Sequence, residues 1–191
     1  MKHKTIYMFL FVLAIGLSVN ALAEDEMQFT AHLKGFNLSG APVPTNATGQ
    51  ANFWVIDGGT AVRYRVNVTG IENLWMAHIH VAPAPVSITD PAGPIAFWFI
   101  PTTPPGAPAS NVQDRVQGNL VSGMIMADTQ LVGVLAPAQD NPEGTGIRGL
   151  IKAMQEGRAS VIVHTNAFGD KNFPPGQAGN SPPGEIRGTI Q

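Results

Sequence analysis

ANFWVIDGGTAVRYRVNV, residues 51–68, carries the alternation that decides the fold. Val62, Tyr64, Val66 and Val68 fall on one side of a strand and Arg63, Arg65 and Asn67 on the other, because successive strand side chains point to opposite faces. Two apolar runs flank Gly58 and Gly59, so the stretch predicts a β-hairpin with a glycine-dependent turn. Upstream, MQFTAHLKG alternates Phe29, Ala31 and Leu33 with Thr30, His32 and Lys34. Downstream, NLWMAHIHVA, GPIAFWFI, GNLVSGMIM, ASVIVHT and GEIRGTI supply further strands, about eight in all. The expected fold is all-β: an antiparallel Greek-key sandwich or barrel with one short helix. That helix is GIRGLIKAMQEGR, where Leu150, Ile151 and Met154 recur at helical spacing and Gly157 stands where a C-terminal cap belongs. A shorter turn is expected from Asp128, and PTTPPGAPAS and FGDKNFPPGQAGNSPPG read as long loops.

The first 23 residues read differently from the rest. Lys2, His3 and Lys4 precede an apolar run from Ile6 to Val19, and the small residues of Ala21 to Ala23 stand before an acidic EDE. This is the pattern of a secretory signal peptide over 1–23, leaving a single domain over 24–191 in the periplasm or outside the cell. The apolar run is shorter than the ~20 residues that span a bilayer, so no membrane insertion is expected after cleavage. The chain has no cysteine, which excludes disulfides and every thiolate metal site. Two of its 11 basic residues lie in the leader, so 9 oppose 13 acidic ones afterwards. That balance gives no electrostatic footprint for nucleic acid and leaves an extracytoplasmic partner or a metal ion as the expected ligand.

Three of the five histidines sit in apolar strands. His78 and His80 are two apart, so both rings project from one face while Ala77, Ile79 and Val81 project from the other. Two imidazoles so placed suit one copper or zinc ion at ~2.0 Å from each nitrogen, and His164, opposed to Val161 and Val163 on its own strand, is the donor that would complete a set. The same placement fits a hydrogen-bonded clasp between strands. His32 reads as an ordinary exposed residue. No nucleophile elbow, P-loop or dinucleotide fingerprint is present, and no catalytic set is assigned. Asp90, Asp114, Asp128, Asp140, Glu143, Asp170 and Glu185 fall on predicted loops and turns, where solvation and capping are their expected roles. Glu185 and Arg187 alternate on one face of the last strand, flanked by Gly184 and Gly188. Arg187 fits either a structural pairing, with Glu185 or another carboxylate, or the guiding of an anion toward the histidines.

Four motifs together resemble the CHRD (chordin-type) domain family: L-S-G-x-x-x-P at Leu38 to Pro44, A-H-I-H at Ala77 to His80, V-H-T at Val163 to Thr165 and G-E-I-R-G at Gly184 to Gly188. The loop between His164 and Gly184 is longer than the family's usual connection, and SVI replaces an aromatic-Val-Asn before V-H-T. The resemblance implies a secreted β-barrel acting as a non-catalytic binding or structural module. The H-x-H strand, the later V-H strand and the GQAGN loop leading to Arg187 are also similar to the copper-zinc superoxide dismutases, where the corresponding residues hold copper and steer superoxide. That resemblance implies the alternative of a copper-dependent redox protein, although the fourth copper histidine, the zinc loop and the disulfide are lacking.

Overall fold

A computed structural model of the chain describes residues 27–84, 92–100, 113–138, 144–167, 171–172 and 174–191. The expected signal peptide and the loop PTTPPGAPAS lie outside the described residues. In chain order the elements are β1 (Gln28–Leu33), β2 (Thr48–Ile56), β3 (Ala61–Val81), β4 (Ile95–Ile100), β5 (Gln113–Ile125), α1 (Gly146–Gln155), β6 (Ala159–Thr165) and β7 (Ile186–Thr189). All strand pairs are antiparallel, in the order β1-β2-β3-β6-β7, with β4 and β5 also paired to β3. The all-β expectation holds.

The hairpin of residues 51–68 forms as its pattern requires. Ile56 pairs with Ala61 across a turn in which Asp57, Gly58 and Gly59 take φ of 54°, 63° and 87°. Three successive left-handed residues are costly for side chains with a Cβ, which is why glycine fills two of the places. Val62, Val66 and Val68 are buried and Arg63 and Arg65 exposed.

One strand differs from expectation. The runs read as separate strands at TAVRYRVNV and NLWMAHIHVA are a single 21-residue strand, β3, so seven strands are described rather than about eight. Gly70 and Asn73 take φ of 73° and 54° at the junction, and the pairing with β5 shifts register between Val68 and Ile71. An irregularity of this kind bends a strand without ending it. The first half of β3 pairs with β2 and β5, the second half with β4 and β6. The sheet then closes on itself. Thr30 and Gln191 exchange both backbone hydrogen bonds, at 2.9 and 3.0 Å, and Lys34 and Arg187 do the same at 3.0 and 2.8 Å, which joins β1 to the C-terminal strand.

The interior is filled by Phe53, Phe99, Leu33, Ile71, Ile79, Val161, Val163 and Ile186, among others, each buried. Burying each such side chain contributes roughly 1.5–3 kcal/mol, so in a chain without disulfides this core holds the fold. Helix α1 packs on it through Ile147, Leu150, Ala153 and Met154. Its first turn is capped by Asp128, whose Oδ1 accepts the Ile147 amide at 2.7 Å. Its last turn closes on Gly157 at φ 65°, with the Gly157 and Arg158 amides donating to Met154 and Ala153 carbonyls.

Candidate metal centre

In the second half of β3 both faces are buried: residues 77–81 are all inaccessible. Ala77, Ile79 and Val81 enter the main core, and His78 and His80 project the other way. The antiparallel register then assembles the rest. His78 lies opposite Ile162 on β6 and opposite Trp98 on β4, while Met76 lies opposite His164. Cross-strand partners share a face, so Met76, His78, His80, Trp98, Ile162 and His164 form one surface. The rings of His78 and His164 have centroids 4.5 Å apart, and those of His78 and His80 4.7 Å.

Only 1–5% of each histidine is exposed. One ring nitrogen from each lies within 4.8 Å of one from the other two. Their protons are fixed by what the other nitrogens touch. His80 Nδ1 is 2.7 Å from the Gly93 carbonyl and His164 Nδ1 is 2.6 Å from the Pro182 carbonyl. A carbonyl only accepts, so both Nδ1 atoms carry hydrogen and the lone pair of each ring lies on Nε2. His78 Nε2 is 3.1 Å from the Met76 thioether, also an acceptor, which leaves the lone pair on Nδ1. Nδ1 of His78 and Nε2 of His164 are buried with no hydrogen-bond partner. Burial pushes His164 down to about 4, against the opposing pull of its hydrogen bond to the Pro182 carbonyl, and His78 further below the ordinary imidazole value; the neighbouring rings lower both. All of this favours neutral imidazoles with lone pairs turned into a dry space, the donor set a metal ion takes. Carbonyl-anchored Nδ1–H groups orient metal-binding histidines in just this manner. Tetrahedral ligands at ~2.0 Å stand ~3.3 Å apart, so the widest separation would close on an ion by about 1.5 Å.

The cover of the site comes from the segments around the first and last motifs. Leu38 donates its amide to the Pro183 carbonyl at 2.8 Å, and Arg187 Nη1 donates to the Leu38 carbonyl at 2.9 Å. A Cβ on Gly184, at φ 108°, would stand 2.7 Å from Ile162 and 3.5 Å from the Asn37 Cα, so these loops lie directly over β6. Glu185 is 1% exposed, and its carboxylate accepts the Thr45 hydroxyl at 2.6 Å, the Thr165 hydroxyl at 2.6 Å and the Gly179 amide at 2.7 Å. It is thus a buried knot tying the segment after the first motif to the third and fourth, not the solvated carboxylate its loop context suggested. Arg187 faces Ile162 across the ladder, two strands from His78 and about 10 Å away at the usual strand spacing. It lines a surface cleft of about 400 Å³ with His32, Lys34 and Phe36. His32 itself is exposed.

The sequence reading missed Met76 and Trp98 as neighbours of His78, and Gly93 as the acceptor for His80. Met76 shares the period-2 face of His78 and was findable on that ground; Trp98 and Gly93 arrive through tertiary pairing. Asp90, Asp140, Glu143 and Asp170 lie outside the described residues.

An antiparallel sheet nearly closed into a barrel, with three buried histidines gathered on a second face, defines a β-barrel module with a candidate metal centre. The chain belongs to the CHRD domain family, which matches it over residues 29–172. No curated relative matches it at significant similarity. The matched span contains all three histidines and ends before β7, so the G-E-I-R-G motif that completes the barrel lies beyond it.

Proposed function

We propose that this CHRD-domain protein is a secreted or periplasmic, non-catalytic module that holds one metal ion through His78, His80 and His164. The observation that carries the reading is that His80 Nδ1 and His164 Nδ1 are turned to backbone carbonyls while one ring nitrogen from each of the three buried histidines lies within 4.8 Å of one from the other two. Three lone pairs facing one dry space repel unless a cation or water lies between them. The near-complete burial of the rings supports holding over turnover, since a catalytic ion keeps a position open to substrate. The leader pattern of residues 1–23 supports export. Among the described residues no helix is long and apolar enough to cross a membrane.

The test is calorimetric titration of copper and zinc into the chelator-stripped chain from Glu24, beside a His78→Ala, His80→Ala double variant and a His164→Ala variant. One-to-one binding that both variants lose is expected. Folded wild-type protein that binds neither ion would make the histidines a hydrogen-bonded clasp.

A further inference from the structure

The three histidines are only part of what faces the centre. No carboxylate belongs to the cluster among the described residues, and the chain contains no thiolate. Glu185, the buried carboxylate just before β7, is occupied by Thr45, Thr165 and Gly179. An ion bound here therefore keeps its full charge in a poorly solvated space. The desolvation cost of an ion grows with the square of its charge, about fourfold from a monovalent to a divalent cation. The donor number points the same way. Zinc in a closed site takes four ligands, and in an open one takes three with a water, whereas the cluster offers three nitrogens that are each shut away from solvent.

The walls are soft. The Met76 thioether stands 3.1 Å from His78 Nε2, and the half-buried Trp98 ring lies edge-on to His78 at 4.9 Å between centroids. Imidazole suits copper and zinc alike, thioether sulfur favours soft ions such as monovalent copper, and an aromatic ring adds polarizable contact without charge.

We infer that the ion this centre is built to hold is monovalent copper, with Met76 and Trp98 forming its soft wall. The inference rests on the three-histidine reading proposed above. Met76 acts through His78 as a positioning residue: it sets which ring nitrogen carries the proton and keeps a polarizable atom beside the bound ring.

The experiment is an anaerobic competition. Chelator-stripped wild-type protein and Met76→Leu are titrated against the coloured bicinchoninate complex of Cu(I), and separately against a chromophoric Zn(II) chelator, with tryptophan emission followed throughout. Met76→Leu keeps the volume and removes the sulfur. The expected result is Cu(I) bound more tightly than Zn(II), with loss of emission on loading. In Met76→Leu, Cu(I) affinity falls about tenfold, the lower end of what outer partners of metal ligands contribute, while that for Zn(II) stays within about twofold. Tighter binding of Zn(II), or a Met76→Leu variant weakened equally for both ions, overturns the assignment and leaves the three-histidine centre standing. Binding of neither ion by folded wild-type protein removes the centre itself, and the inference with it.

Discussion

Lowering the pH of the metal-free protein from 7 to 5 should cost it much of its stability, and the magnitude follows from the buried rings. His164 sits at about 4 in the fold against 6.5 for an ordinary imidazole, because burial penalises its charged form. The folded value lies below the unfolded one, so between them the unfolded chain takes up a proton that the folded chain refuses. Stability is therefore complete above pH 6.5 and drains away as the pH falls toward 4. One pH unit inside this window is worth 1.36 kcal/mol per proton, and the curved onset near 6.5 leaves a loss of about 2 kcal/mol at pH 5 for His164. His78 is displaced in the same direction and further, so it adds about 2 kcal/mol more. A combined loss near 4 kcal/mol is a large part of the ~5–15 kcal/mol that holds an ordinary domain. Urea denaturation of chelator-stripped protein at pH 7, 6 and 5 measures this directly. Stability should fall with a slope approaching two protons, and a His164→Leu variant should retain only one of them. A wild-type midpoint that moves by less than the equivalent of ~0.5 kcal/mol across the range would refute the account of His78 and His164 as buried, neutral and unable to accept a proton.

Glu185→Ala strands two hydroxyls and a backbone amide that the carboxylate now satisfies, and each buried unmet partner costs about 1–3 kcal/mol. A loss of at least ~3 kcal/mol by chemical denaturation is expected, with Glu185→Gln recovering part of it. Gly188→Ala places a Cβ 2.5 Å from the His32 carbonyl oxygen and 2.8 Å from its carbon. It should force β7 from β1 at a cost of ~1–3 kcal/mol, seen as faster hydrogen exchange at the Thr30 and Lys34 amides. Phe53→Ala empties a wholly buried position beside Phe99 and should cost ~3–5 kcal/mol by the same denaturation assay.

The fold was legible where each residue's environment repeats every second position. Val62, Val66 and Val68 announce a one-faced strand because one side meets the core and the other meets water. The union of two apparent strands into β3 was not legible, since Gly70 and an Asn at positive φ read as an end when only the final contacts decide whether the chain bends or stops. The histidine face could be read from spacing alone, because His78 and His80 share a parity and His164 opposes two core valines. Glu185 could not. Nothing local separates a surface glutamate from one whose three partners come from residues 45, 165 and 179. Met76 shares the parity of His78 on one strand, but Trp98 became part of the site through the register of β4 against β3, which a single sequence does not contain.

The seam between Thr30 and Gln191 has a temporal meaning. A ribosome releases β1 before β7. Until the segment from Pro182 through β7 emerges, the first strand has one edge without its partner and His164 lacks the Pro182 carbonyl that aims its ring. The barrel cannot close before β7 and Gln191 have been made, because they supply the partners of Thr30 and Lys34. A chain arrested before residue 182 would thus carry all three histidines and still lack the carbonyl that orients His164.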